Sequence, residues 1–317
     1  MHSEEALVAL LSALKVRGYS WITPTPATQQ RVLDRPDRRV GSDLADIFGW
    51  SLPFAPEALE SDLLGLMYAG EIVTQRGNLL ASTMRVSSLD DRLFLHSAYP
   101  TAAGDAVFFG PDTYRFARFI AQAAGPARRL VDIGCGSGAG AVVAARASGA
   151  GEIVMSDVNP AALRLARINA AASGLAATTS FTSSDVLRGV AGMFDLVISN
   201  PPYLVDDEQR VYRHGGEMLG AGLSLRIARE AAERLNPGGQ LLLYTASAIV
   251  RGVDAFAGAV VPMLRAQGCT VAYEEIDPDV FGEELDRPAY RHVDRIAVVG
   301  VVARKAAHNL AHRGGQQ

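Results

Sequence analysis

From Arg129 onward, short apolar runs alternate with stretches of helical spacing, and this alternation restricts the fold more than any other feature of the chain. Residues 130–133, 152–156, 178–182, 194–199 and 240–245 read as strands. Helical stretches lie between or after them at 139–147, 160–173, 223–235 and 249–267. Pro160 opens its helix, where a missing N–H costs nothing. Asn236-Pro237-Gly238-Gly239 is a stop signal after the third helix. Strands apolar on both faces and joined by helices form a doubly wound parallel sheet. The last two runs, 269–275 and 295–302, have no helical pattern between them and predict an antiparallel final pair. The expected fold class is α/β: a mostly parallel seven-stranded sheet with an antiparallel last strand. Residues 277–292, between the last two strands, read as a long polar loop of the kind that carries function.

The first hundred residues follow another pattern. Residues 7–16, 41–48 and 56–68 are helical in spacing. Two strand-like runs, 71–74 and 79–86, then flank Gln75-Arg76-Gly77-Asn78, a hairpin signal. Helices followed by a hairpin suggest a small α+β, winged-helix-like domain. The expected organisation is 1–100 for that domain, 105–304 for the α/β domain and 305–317 for a tail. Winged helices bind DNA or serve in dimerisation, and charge discriminates between the two. Residues 1–100 hold nine Lys/Arg against twelve Asp/Glu. The helix before the hairpin carries Glu57, Glu60 and Asp62 and no basic residue. That surface has nothing to neutralise phosphates with, so recognition of a DNA sequence is not expected. Dimerisation or substrate recognition is.

The formal net charge of −4 excludes a globally basic surface. Two cysteines, Cys135 and Cys269, are too few for a disulfide framework. Neither forms a CxxC or Cys/His cluster, so no metal is expected. The N-terminus has Glu4 and Glu5 where a signal peptide needs basic residues. The charge-free apolar run 296–303 is too short to span a bilayer. No membrane association is expected, and the expected location is cytoplasmic.

Chemistry concentrates at the tips of the parallel strands. The first strand runs into "LVDIGCGSGAG", with Gly134, Gly136 and Gly138 at spacing two. Glycines there permit a tight turn and close approach of a ligand to the backbone. Asp157 ends the second strand in "EIVMSDVNP", where a carboxylate can accept both hydroxyls of a ribose. Asp185 ends the third in "FTSSDVL", where a carboxylate can accept from an adenine amino group. The glycine turn also satisfies G-x-G-x-x-A, the pattern of a nicotinamide dinucleotide site. Asp132, just before the first glycine, argues against that ligand, because a carboxylate would repel a pyrophosphate. It suits a nucleoside with a cationic amino-acid end, and S-adenosylmethionine is such a ligand.

The fourth strand stops abruptly in "DLVISNPPYLVDD". Asn200 presents a neutral side-chain carbonyl, and Pro201 removes a backbone donor, leaving carbonyls only. Two acceptors can hold both hydrogens of a planar NH₂ group and aim its lone pair at an electrophilic methyl. Tyr203 can cover the face of a flat substrate. The plainer reading of Asn-Pro-Pro-Tyr is a stiff turn.

These residues together resemble the class I S-adenosylmethionine-dependent methyltransferases of the N-P-P-Y branch. That branch includes release-factor glutamine methyltransferases, rRNA guanine methyltransferases and DNA adenine methyltransferases. "VDIGCGSGAGAV", "SDVNPAALRLARINA" and "FDLVISNPPY" carry the resemblance, which covers about residues 105–304. "FFGPDTYRFARFI" is similar to an R-P-x-T-E stretch of the glutamine methyltransferases, with Gly110 in place of the Arg and Tyr114 in place of the Glu. The resemblance implies a methyltransferase sheet. It implies cofactor contacts at Phe109, Asp132, Gly134, Cys135, Gly136, Asp157, Val158, Asn159, Asp185, Val186 and Asn200. It implies an acceptor site at Asn200, Pro201, Pro202 and Tyr203, and no protein nucleophile or metal. The N-terminal third departs from the helical bundle of the glutamine enzymes.

The expected activity is N-methylation of a planar amide or exocyclic amine, in a protein glutamine, an RNA base or a small molecule. Two readings stand beside it. One is a NAD-dependent oxidoreductase, from the glycine pattern. The other is a partner-binding protein with a relic nucleoside pocket, from the acidic N-terminal third. The acceptor pocket is expected from residues 205–222 and 277–292, with Tyr212, His214, Glu217 and Glu283 as candidate contacts.

Overall fold

The computed structural model describes residues 2–101, 103–205 and 215–307. The α/β part starts with helix α5 (Pro111–Ala123), numbered after four N-terminal helices and four N-terminal strands. It continues through β5 (Arg129–Ile133), α6 (Ala139–Ser148), β6 (Glu152–Asp157), α7 (Pro160–Ala172), β7 (Thr179–Ser183) and β8 (Phe194–Ser199). It ends with α8 (Gly222–Glu233), β9 (Leu235–Val250), the two-residue β10 (Val253–Asp254), α9 (Ala255–Ala266), β11 (Cys269–Asp277) and β12 (Arg295–Lys305). The sheet order is β11-β12-β9-β8-β5-β6-β7. Strands β5 to β9 pair in parallel, and β12 inserts antiparallel between β9 and β11. This is the expected mostly parallel seven-stranded sheet with an antiparallel last strand; β10 is a short addition to β9.

Side-chain alternation along the strands sets the two cores. Leu130, Leu196, Ile198 and Leu242 face helices α5, α6 and α7. Val131, Ile133, Val197 and Leu241 face α8 and α9. Burial on both faces makes these strands read as apolar runs and requires helices on both sides. Gly300 of β12 admits a close approach from α5: a Cβ there would meet the Phe119 ring at 2.7 Å and Ile276 at 3.0 Å.

Two boundaries differ from the sequence reading. Strand β9 runs to Val250, and α9 starts only at Ala255. Residues 246–249 pair with the start of β12, and a turn at Arg251 (φ 51°) and Gly252 (φ 72°) returns the chain as β10, which pairs with Ile249 and Val250. The stretch from 249 was apolar enough for a helix, but its backbone is claimed by the neighbouring strand. Asp254 caps α9 by accepting from the Ala257 N–H at 2.9 Å. The 277–292 segment is not a plain loop: it contains short 3₁₀ turns at Gly282–Asp286 and Pro288–Tyr290.

Helices α1 (Ser3–Val16), α2 (Pro26–Leu33), α3 (Leu44–Phe48) and α4 (Ser61–Ala69) precede the hairpin β1 (Val73–Arg76)–β2 (Leu79–Ser82). A second hairpin, β3 (Met84–Leu89)–β4 (Arg92–Ser97), follows. The single strand expected over 79–86 is therefore two, and the turn at Asp90 and Asp91 carried no glycine to announce the second hairpin. The expected 56–68 helix is interrupted by extended Leu59, leaving one 3₁₀ turn and α4. Glu60, just before α4, and Asp62 in its first turn both pair with Arg17. The apolar face of α1 (Leu7, Leu10, Leu11, Leu14) is spent within the chain, packed on α4 and α7. The first hundred residues thus share one core with Ala162, Leu165 and Ile168 of α7.

Lys305, assigned to the tail by sequence, ends β12, and its ammonium donates to the Ala232 and Gln267 carbonyls at 3.1 and 2.8 Å. The rest of the expected tail lies largely outside the described residues. Among the described residues no helix is long and apolar enough to cross a membrane.

Replacing Gly300 with Val overpacks the contact between α5 and the sheet. The expected loss is about 1–3 kcal/mol of unfolding free energy, read as a lower midpoint in urea titration. An unchanged midpoint contradicts the packing described.

Candidate functional site

Strands β5 and β8 are adjacent, yet their connections leave in opposite directions: β5 leads toward β6, and β8 toward β9. Such a switch point opens a crevice at the carboxyl ends of the strands. A cleft of about 320 Å³ lies there, bordered by the tips of β5 to β8. Pro26 and Phe108 from the N-terminal side, Leu223 and Ile227 of α8, and Phe281 and Glu283 of the 277–292 segment also line it.

The glycine turn forms one wall. Gly134, Gly136 and Gly138 have φ of 70°, 52° and 78°, a region that side-chain-bearing residues avoid. The N–H groups of Gly134 and Cys135 both donate to the Ser156 carbonyl, at 2.8 and 3.0 Å, which ties the turn to β6. Two residues into α6, a Cβ on Gly140 would meet the Phe116 ring at 2.6 Å and Asp132 Oδ2 at 3.1 Å.

Asp132 is buried, and its Oδ2 accepts from the Ala141 N–H at 3.0 Å. Burial pushes its pKa up to about 7; the Ala141 N–H opposes the rise, and the charge of Asp157 adds to it. Asp157 accepts from the Gly136 N–H through Oδ2 and from the Asn159 N–H through Oδ1, each at 2.9 Å. Burial raises its pKa as well, against those backbone donors. Asn159 caps α7, accepting from the Ala161 N–H at 2.9 Å, and reaches back to the Asp105 carbonyl at 2.8 Å. Between these two, Val158 borders the cleft with 49% of its surface exposed, an apolar face suited to a flat ring. Cys135 lines the cleft as a buried free thiol, kept neutral because burial pushes its pKa up.

Asp185 and Val186 border the cleft at the tip of β7. The structure modifies the role read for Asp185. Both of its carboxylate oxygens take hydrogen bonds from Arg226 of α8, each at 2.8 Å, and Arg188 lies at 3.1 Å. The Arg226 guanidinium holds its pKa below the usual carboxylate range. A bidentate partner on another element leaves no mark in a local sequence pattern.

Phe109 is a correction. It does not border the cleft; it is fully buried, with its ring stacked on His96 at 5.0 Å and near Phe94 at 5.9 Å. Its neighbour Phe108 faces the cleft instead. In extended backbone successive side chains point to opposite sides, and the sequence does not say which of the pair faces inward.

At the tip of β8, Asn200, Pro201, Pro202 and Tyr203 all border the cleft. The Asn200 carbonyl oxygen is buried and accepts no hydrogen bond among the described residues. Unpaired buried acceptors are rare, and each calls for an explanation. The preceding Ser199 anchors the strand by donating to the Ile133 carbonyl at 2.8 Å. The ring of Tyr203 stands 6.0 Å from that of Phe281. Burial raises the Tyr203 pKa, and the facing Asp112 carboxylate raises it further.

Asp112 was not singled out by sequence. It is buried in the first turn of α5, accepts from the Tyr244 hydroxyl at 2.9 Å and pairs with Arg115 at 3.3 Å. Arg115 also pairs with Asp277, which ends β11, at 3.0 Å. This network links α5, β9 and the 277–292 segment beneath the Tyr203 side of the cleft. Of the four candidate acceptor contacts, Glu283 lines the cleft and exposed Glu217 does not. Tyr212 and His214 lie outside the described residues.

Residues 116–250 match the family model of the methyltransferase small domain. Over 167 residues the chain is 34% identical to the release factor glutamine methyltransferase of Deinococcus radiodurans, covering 49% of this chain and 55% of that protein. It is 34% identical over 177 residues to the enzyme of the same name from Cereibacter sphaeroides, covering 52% and 60%. It is 33% identical over 113 residues to ribosomal RNA small subunit methyltransferase C of Serratia proteamaculans, covering 36% and 29%. The chain therefore spans less than two thirds of the length of each of these relatives. The glycine turn, Asp132, Asp157 and Asn200 all fall inside the matched segment.

Proposed function

We propose that this chain is an S-adenosylmethionine-dependent N-methyltransferase whose acceptor is a planar amide or exocyclic amine. The observation that carries the reading is the Asn200 side-chain carbonyl, buried on the cleft wall without a donor among the described residues. A neutral acceptor held dry is suited to one hydrogen of a flat NH₂ group. The Pro201 peptide adds no competing donor. With both N–H bonds directed at fixed carbonyls, the nitrogen is oriented before reaction, and the contribution is one of positioning. Tyr203 and Phe281 flank the place where a planar group would lie.

The cofactor residues fit the ligand in charge as well as in shape. S-adenosylmethionine supplies an electrophilic methyl on sulfur. Asp157, presented by the turn and the α7 cap, is placed for ribose hydroxyls, and Val158 for a ring face. Asp132 is a buried carboxylate beside the glycine turn with one backbone donor on Oδ2, so a cationic ammonium would relieve its desolvation. A dinucleotide pyrophosphate would meet that same carboxylate as a like charge, which argues against the oxidoreductase reading. The relatives' names include a release factor glutamine and a ribosomal RNA, both carrying nitrogen groups of the proposed kind. The chain's acidic balance favours the non-nucleic acceptor.

Two outcomes test the reading. Isothermal calorimetry is expected to detect S-adenosylhomocysteine binding. Asn200→Ala is expected to keep that affinity within threefold and to lower transfer from labelled S-adenosylmethionine about 10²-fold. Absence of binding at millimolar ligand, or full transfer by the variant, overturns the assignment.

The second outcome concerns pH. Below about pH 7 Asp132 takes up a proton and loses its attraction for an ammonium group. Affinity for S-adenosylhomocysteine should therefore weaken about tenfold per pH unit on the acid side. A carboxyl whose folded pKa exceeds its unfolded value subtracts stability as pH rises from about 4 through 7. Asp132→Asn should accordingly flatten the binding profile and stabilise the ligand-free chain at pH 8 by about 1–3 kcal/mol. Calorimetry and thermal melts across this range check both signs, and a flat wild-type binding profile refutes the role.

A further inference from the structure

Asn169 lies in the last part of α7 and is fully buried. Its Oδ1 accepts from the Leu95 N–H at 2.8 Å, and its Nδ2 donates to the Leu95 carbonyl at 2.9 Å and to the Ser137 carbonyl at 2.8 Å. Leu95 belongs to β4 of the second N-terminal hairpin, and Ser137 lies within the glycine turn. One carboxamide thus uses both donors and its acceptor to join two segments far apart in sequence. Asn159, at the other end of the same helix, repeats the pattern. Its side chain reaches the Asp105 carbonyl, and its backbone N–H holds Asp157. Between these ends, Ala162, Leu165 and Ile168 are buried in the core of the N-terminal helices. Helix α7 is therefore a wall common to the N-terminal unit and the cleft.

The consequence lies in the turn. Ser137 sits between Gly136 and Gly138, both in the left-handed region, so its peptide planes are flanked by the least restrained residues in the chain. The Asn169 bond fixes one of those planes. We propose that Asn169 is a positioning residue: it sets the curvature of the glycine turn from the docked position of β4, so that nucleoside affinity depends on the seating of the N-terminal unit. This rests on the proposed reading that the turn receives the nucleoside of S-adenosylmethionine. Linkage makes the dependence reciprocal, so occupancy of the cleft must in turn hold β4 in place.

Hydrogen exchange of the wild-type chain reads this directly, because the Leu95 N–H is bonded to Asn169. Saturating S-adenosylhomocysteine is expected to slow exchange at Leu95 at least tenfold, alongside the amides of the turn. Protection of the turn with Leu95 unchanged overturns the coupling. A variant pair separates positioning from general stability. Asn169→Ala is expected to weaken S-adenosylhomocysteine binding at least tenfold. Gln240→Ala removes another buried carboxamide, which bonds the Gly125 N–H at 3.0 Å and the Ala123 carbonyl at 2.8 Å. It is expected to lower the melting temperature and leave affinity within twofold. Equal losses of affinity in the two variants, or none in Asn169→Ala, overturn the proposal. If Asn169→Ala does not fold, the wild-type exchange experiment decides alone. If the wild-type chain binds no S-adenosylhomocysteine, it is the proposed function that fails.

Discussion

Two adjacent parallel strands whose connections depart in opposite directions create the space on which every other feature of the site depends. Between β5 and β8 no crossover covers the carboxyl ends, and the peptide groups and side chains there face a cleft instead of a helix. The glycine turn closes one side of it, and residues without a Cβ adopt its three positive φ values in five positions at least cost. The prolines after Asn200 close another by stiffening the exit from β8. The site is thus built on strand tips and the glycine turn, with Phe108, α8 and the 277–292 segment supplying its rim.

Within this frame the chain maintains two costly arrangements. Asp132 is a carboxyl group buried beside a second carboxyl group, and Asn200 is a buried carbonyl without a donor among the described residues. Neither adds to the stability of the ligand-free fold: desolvating a carboxyl group and leaving a buried carbonyl unpaired both subtract from it. On the proposed reading, both become favourable when a cation and an N–H donor occupy the cleft. Binding groups held ready in this way cost stability and spare the reorganisation that would otherwise accompany ligand capture.

The N-terminal third is not an appendage on a linker. Its core continues into α7, and the carboxamides at the two ends of that helix reach into the cleft's own machinery. The acidic residues at the start of α4 are engaged by Arg17, and the apolar face of α1 is turned inward, so these surfaces are occupied in maintaining the fold itself. Asp112 and Arg115 play a similar part on the Tyr203 side of the cleft, linking α5 to Asp277 at the end of β11 through charged pairs.

The parallel sheet, its antiparallel ending and the order of the strand tips are determined by the sequence alone, because periodicity and strand-end residues are local properties. The glycine turn, Asp132, Asp157 and the Asn-Pro-Pro-Tyr stop could be read for the same reason. Errors arose where a backbone or side chain answers to a distant partner. The β12 strand claims Ile249, which read as the start of a helix, and a second hairpin, β3–β4, begins inside what read as one strand. Which of Phe108 and Phe109 faces the cleft, that Asp112 lies beneath Tyr203, and that Asn169 bonds both β4 and the turn were decided only by tertiary structure. The physical reason is that a local pattern fixes how a segment can fold, whereas hydrogen bonding and burial between segments depend on which surfaces the completed fold brings together.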